Sequence, residues 1–277
     1  NELGYHEKAH RLVQRALELH PQSGHSAHTM AHVFFETGDH SGGAGFLKGW
    51  LPAFPRQAQI YSHLTWHLAL FQLACGHPDH VFELYHQTLN PEVCPGVPLI
   101  ALCDAAALLW RHDLYGLPRP TGSREAVAAF AARTFPRAGI TFGDVHCALA
   151  YAAAGDIEAL TQLTTQLRER LVQGKVPASE VVPALVEALA AFAHGDYEST
   201  VQYLEPVADQ VVRVGGSNAQ REVFEDTLLQ AYLRAGHYAQ AENLLRKRLA
   251  RRPSARDTLW LQQAQSGHQA ERGSNGG

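Results

Sequence analysis

Leu229-Gln230-Ala231-Tyr232-Leu233-Arg234-Ala235-Gly236-His237-Tyr238-Ala239-Gln240-Ala241 decides the fold class. Apolar side chains recur at three- and four-residue steps on both sides of Gly236, which is the helical period. Glycine at the end of the first run supplies a left-handed cap, and Tyr238 begins the next helix at once. The stretch therefore reads as a helical hairpin, Ala219–Ala235 followed by Tyr238–Arg251, ending before Pro253. Two earlier stretches repeat it. Asp144–Ala154, Gly155-Asp156 and Ile157–Val172 make one hairpin; Val182–Ala193, His194-Gly195-Asp196 and Tyr197–Val212 make another. The turn glycines 155, 195 and 236 follow one another at 40 and 41 residues. A fixed period of that order marks an α-solenoid.

Upstream of Asp144 the chain stays helical but less regular. Asn1–Tyr5 reads as a turn following a helix that would precede the chain. Tyr5–Leu19 is amphipathic and stops at His20-Pro21, since proline cannot continue the ladder. Ser23 or Ser26 caps a helix running to Thr37. Gln59–Ala74, Pro78–Leu89, Pro98–Tyr115 and Arg124–Thr134 follow, with loops at Asn90–Pro98 and Gly116–Ser123. Ser41–Phe54 reads as a short helix broken by Gly and Pro, and Ser41-Gly42-Gly43-Ala44-Gly45 as a mobile loop over the interior. Residues 1–265 form one solenoid in this reading, and residues 266–277, rich in Gly, Ser and Gln, a disordered tail.

Composition limits the partners. The 277 residues are 45% hydrophobic, ample for a large core. The net charge of −4 is too small to imply a polyanionic partner, so nucleic acid is not expected. Arg246-Lys247-Arg248, with Arg251, Arg252 and Arg256, reads as a basic helix end with a solvated face. The chain lacks a run of about 18 apolar residues, so a membrane is not expected as a partner either. Cys75, Cys94, Cys103 and Cys147 form no CxxC pair, which argues against a zinc knuckle and suits a reducing, cytoplasmic setting.

Two stretches stand out chemically. Ser26-Ala27-His28-Thr29-Met30-Ala31-His32-Val33-Phe34-Phe35-Glu36 and His63-Leu64-Thr65-Trp66-His67 each hold two histidines four residues apart within an apolar run. On a helix, each pair shares one face, one turn apart. Both read as walls of a common interior cavity.

Four stretches resemble the tetratricopeptide repeat protein 38 family: Ser26–Val33, His63–Leu70, Asp104-Ala105-Ala106-Ala107-Leu108-Leu109-Trp110-Arg111, and Gly215-Gly216-Ser217-Asn218-Ala219-Gln220-Arg221-Glu222-Val223-Phe224. They occur in the family's order and span most of the chain. The resemblance implies an all-α, right-handed superhelical solenoid of TPR-like hairpins, with further repeats ahead of Asn1. It implies no activity.

If first helices line the concave face, His28, His32, His63, His67, Asp104, Arg111, His146, Gln220 and Arg221 converge as the superhelix wraps round. His32, His63, His67 and His146 are the candidates for proton transfer. His28, Trp66, Asp104, Arg111, Gln220 and Arg221 are the candidates for holding a ligand. The i,i+4 histidines also suit a zinc-like divalent ion, with Asp104 or Asp144 as a further ligand or an orienting carboxylate, although the HExxH base is missing. The alternative for the histidines is a set of satisfied core residues. For Arg111 and Arg221 it is a salt bridge locking repeats together. Ser217 or Asn218 suits an N-cap. The functional expectation is a histidine-lined cavity that binds, and transforms, a small polar or anionic molecule. The competing expectation is a peptide- or protein-binding scaffold without catalysis.

Overall fold

The computed structural model describes residues 4–118 and 121–274, with side chains to residue 270. All regular structure among these residues is helical. The α-helices are α1 (His6–Leu19), α2 (Gly24–Thr37), α3 (His40–Trp50), α4 (Ile60–Ala74), α5 (Pro78–Leu84), α6 (Pro98–Leu114), α7 (Ser123–Thr134), α8 (Thr141–Ala154), α9 (Ile157–Val172), α10 (Val181–Ala193), α11 (Tyr197–Leu204), α12 (Asn218–Ala235), α13 (Tyr238–Arg251) and α14 (Ala255–Ser274). A π-helical turn, Tyr85–Leu89, extends α5, and a 3₁₀ helix, Glu205–Val214, extends α11. The turn expected at Asn1–Tyr5 falls largely outside the described residues, as does part of the Gly116–Ser123 loop.

The glycine turns behave as their sequence requires. Gly155, Gly195 and Gly236 have φ of 71°, 77° and 82°, the left-handed conformation that costs glycine least. The aspartate after each of the first two then caps the next helix. Asp156 accepts from the Ala159 amide and Asp196 from the Ser199 amide, both at 3.0 Å. A Gly-Asp pair thus ends one helix and starts another within two residues.

Helix contacts alternate along the chain. α2 packs on α4, α4 on α6, α6 on α8, α8 on α10 and α10 on α12. α9, α11 and α13 each lie against the helix of this series next to them in sequence. The series also folds back on itself, because α12 packs directly on α6. Trp110 Nε1 donates to Thr227 Oγ1 at 2.9 Å, and Arg111 Nη2 donates to the Ala219 carbonyl at 2.7 Å. The interior face is therefore filled by helix where α6 meets α12.

Three expectations need correction. Ser41–Gly45 is helix, not loop: Asp39 caps α3 through the Gly42 amide at 2.8 Å. Gly43 is small for a packing reason, since a Cβ there would lie 2.6 Å from the Phe71 ring of α4. The hairpin helix expected to run from Tyr197 to Val212 leaves the α form after Leu204, where Pro206 has no amide hydrogen to give. The tail expected to be disordered from Ser266 belongs instead to α14, which continues to Ser274. Trp260 and Ala264 bury that helix against the protein, a gain of roughly 2–3 kcal/mol for the tryptophan alone. Gly267 lets it approach Tyr238 of α13 more closely than any Cβ would allow. Among the described residues, no helix is long and apolar enough to cross a membrane.

Candidate functional site

Packing of α2 on α4 brings the two histidine pairs together. Ala27 and Ala31, fully buried on α2, keep that face low and let the helices approach. Across the contact the imidazoles form one cluster. Ring centroids are 4.5 Å apart for His28 and His32, 4.9 Å for His28 and His63, and 5.1 Å for His28 and His67. The His32–His67 and His63–His67 separations are 4.6 and 5.0 Å. Most of these contacts are edge-on rather than stacked. Spacing this tight leaves room among the rings for an ion rather than for an organic molecule.

The four rings play different parts. His63 Nδ1 sits 2.9 and 3.1 Å from the two carboxylate oxygens of Asp104, on α6. Its other face stacks on Trp66 at 5.2 Å, nearly parallel. The geometry fixes this ring as an aspartate-oriented imidazole. Burial pulls the His63 pKa down, but the Asp104 charge and hydrogen bond outweigh it, and the net direction is up. Burial likewise pushes Asp104 up, against the pull of His63.

His28 and His32 face each other through Nε2 atoms 3.0 Å apart. His67 is fully buried, and neither of its ring nitrogens has a hydrogen-bond partner among the described residues. Leaving a buried polar group unsatisfied costs about 1–3 kcal/mol. Nitrogens of His28, His32 and His67 all lie within 4.8 Å of one another. The 3.0 Å His28–His32 approach is close to the N···N edge of about 3.3 Å that a tetrahedral ion with zinc-like bond lengths would set. Burial, with repulsion from His63, His32 and His25, lowers His28 to about 3. Burial and the other three rings also push His67 well below the ordinary imidazole range. Both are thus neutral at physiological pH, the form that ligates a metal.

The structure sorts the remaining candidates. Trp66 is completely buried and supports His63 from behind, so it forms no ligand-facing wall. His146 lies apart on α8, its Nδ1 bonded to the Phe142 carbonyl at 2.7 Å and its ring packed on Phe142 and Phe224. Burial lowers it to about 4. Arg111 approaches Asp226 to 3.9 Å and donates to the Ala107 and Ala219 carbonyls, tying α6 to α12. Its guanidinium also lies 5.8 Å above the Trp66 ring, and its charge acts on Asp104. Gln220 completes a capping box with Ser217, which resolves the choice of N-cap. Arg221 donates to the Gly216 carbonyl and to Asn218 Oδ1, lacing the turn before α12. Neither Gln220 nor Arg221 joins the histidines in these contacts. Asp144 accepts from the Gly139 amide at 3.1 Å and belongs to its own turn. All four cysteines are free, and burial raises their pKa values, Cys147 to about 12, so they are poor nucleophiles.

The basic run near the C-terminus is the other correction. Arg248 and Arg252 do not solvate a helix face; they are 2% and 6% exposed. Arg248 lies 2.9 Å from Asp226, 2.8 Å from Asp257 and 3.1 Å from Glu225. Arg252 pairs with Glu222. Arg256 lies 3.3 Å from Glu222 and 3.4 Å from Asp226, and donates to the Tyr115 hydroxyl, which in turn donates to Asp226 at 2.8 Å. Sequence reasoning missed this network, although Glu222 and Asp226, four apart on a buried helix, called for cations of their own.

No family model matches the chain.

Proposed function

We propose that the histidine cluster is a metal centre, with His28, His32 and His67 as the ligands and the His63–Asp104 pair beside it as an oriented imidazole. The observation that carries this reading is His67: an imidazole with both nitrogens buried and unbonded, facing two more imidazoles. Three imidazoles suit a zinc-class divalent ion. An ion held by three histidines with an open position would supply an activated water. His63, with Asp104 holding Nδ1, is then the proton acceptor next to it. His28, only partly buried, marks the side of the cluster from which a small polar molecule would enter.

The alternative, a peptide-binding scaffold, calls for an open inner groove. Direct packing of α12 on α6 weighs against it. For the scaffold we propose a right-handed superhelix of tetratricopeptide type, related to the tetratricopeptide repeat protein 38 family. The 40- and 41-residue glycine spacing and the alternating helix contacts support that reading. The free cysteines support a reducing, cytoplasmic setting.

The test is calorimetric titration of chelator-treated protein with zinc. One site is expected. His67→Ala or His28→Ala should weaken it by at least about 100-fold, and His63→Ala by about 10-fold, as for a group acting from outside the ligand set. Zinc binding that is absent, or equally strong in His67→Ala, would remove the centre.

A further inference from the structure

The two ends of the helix series meet on the face of α2 that carries the histidines. His28, His32 and Glu36 stand at i, i+4 and i+8, so Glu36 sits one turn beyond His32 on the same side of the helix. Glu36 is 4% exposed, and its Oε1 accepts from Asn218 Nδ2 of α12 at 3.0 Å. The two residues are 182 apart in sequence. Two further contacts lie beside this bond. The Arg252 guanidinium covers the Phe35 ring at 4.2 Å while pairing with Glu222 of α12. Gly38, which ends α2 with φ of 74°, comes so close to Pro253 that a Cβ would lie 2.7 Å from its carbonyl oxygen. The C-terminal half of α2 is therefore held by α12 and by the segment between α13 and α14.

The cluster needs that hold. The proposed ligands straddle two helices, His28 and His32 on α2 and His67 on α4. Ala27 and Ala31, the small residues between these helices, permit a close approach but offer no projecting side chain to resist rotation of α2. Side-chain atoms stand about 5–6 Å from a helix axis, so turning α2 by about 20° would carry its imidazole nitrogens by about 2 Å. Metal–ligand distances tolerate only about 0.2 Å. A hydrogen bond on the same face, one turn from His32, opposes such a rotation directly.

We infer, resting on the metal reading of the cluster, that Glu36 is a positioning residue for it: the bond to Asn218 fixes the rotation of α2, so that docking of α12 and occupation of the cluster are coupled. Coupling of this kind is reciprocal. A bound ion should in turn protect the start of α12, although that helix supplies no ligand.

The test is cobalt(II) titration of the chelator-stripped full chain, with amide hydrogen exchange measured before and after loading. Glu36→Ala should weaken cobalt binding at least about tenfold, the effect of removing a group that orients a ligand from outside the ligand set. Glu36→Gln keeps an acceptor oxygen for Asn218 and should restore binding to within about twofold of the wild type. Asn218→Ala, which breaks the bond from the other side, should match Glu36→Ala. In the wild type, cobalt should slow exchange over residues 218–224 at least about threefold, and this slowing should vanish in Glu36→Ala. Full cobalt affinity in Glu36→Ala or Asn218→Ala, or exchange in α12 that ignores cobalt in the wild type, would overturn the coupling and leave the metal centre standing. Failure of the wild type to take up cobalt would remove the centre and the coupling together.

Discussion

The two most polar parts of the interior solve the same problem in opposite ways. Around α12 to α14, buried guanidiniums meet buried carboxylates, so opposite charges satisfy one another. Between α2 and α4, like meets like: four imidazoles crowd together, and His63 among them is held by a carboxylate. Burial explains the first arrangement as architecture, because each charge has its counter-charge on a neighbouring helix. It does not explain the second, since His67 gains nothing from its neighbours that would offset its desolvation. A polar cluster that completes itself holds the fold together. One that does not complete itself is waiting for something else.

The largest effect should come from breaking the arginine network. Arg248→Ala would leave Asp226 and Asp257 buried without their principal cation, at a cost of about 3–5 kcal/mol. Urea unfolding measures it. A loss below about 1 kcal/mol would mean that the network is not structural.

The histidine cluster should respond with two signs. In metal-free protein, His63→Leu leaves Asp104 buried without its hydrogen bond and should destabilise by about 1–3 kcal/mol. His67→Leu removes an unsatisfied imidazole and should stabilise by about 1 kcal/mol. Equal losses in both variants would indicate that His67 is an ordinary core residue.

A smaller, pH-dependent effect separates histidine burial from the charge network. His112 packs on Phe82, and burial lowers it to about 4 despite a bond to the Pro118 carbonyl. Because the folded pKa lies below the unfolded value, the unfolded chain takes up the proton first. The contribution is fully present above about pH 6.5 and is lost as the pH falls towards 4. Relative to the wild type, His112→Phe should therefore gain about 1 kcal/mol between pH 7.5 and 5.5. Unfolding curves at the two pH values give that difference directly. No change would mean that His112 is solvated in the native state.

Much of this contrast could be read from the sequence, and the reason it stops where it does is physical. Helical period, glycine caps and the i,i+4 histidines are local, so the hairpins and the two histidine faces were legible before any coordinates. That α2 meets α4, and that Asp104 reaches His63 from α6, depends on packing between segments about 40 residues apart. Local pattern does not encode such contacts; the sequence offered Asp104 or Asp144 as a carboxylate for the histidines without saying which of the two, or which histidine it meets. The arginines misled because charge density alone reads as surface. Arg248 and Arg252 are buried because Glu222 and Asp226 on the helix before them, and Asp257 on the helix after, meet their charge. Ser41–Gly45 misled in the same way: glycine reads as loop, whereas Gly43 is there to admit Phe71. His146 and Arg221 fit the repeat pattern but face other neighbours, since helices of one series turn different residues inward as they stack.

The most direct test of the metal centre is titration of chelator-stripped protein with cobalt(II), followed by visible absorption. The account predicts one equivalent bound with the intense bands of a tetrahedral, nitrogen-rich site, and loss of those bands in His67→Ala. A spectrum of free aqueous cobalt, or the same bands with His67 removed, would contradict it.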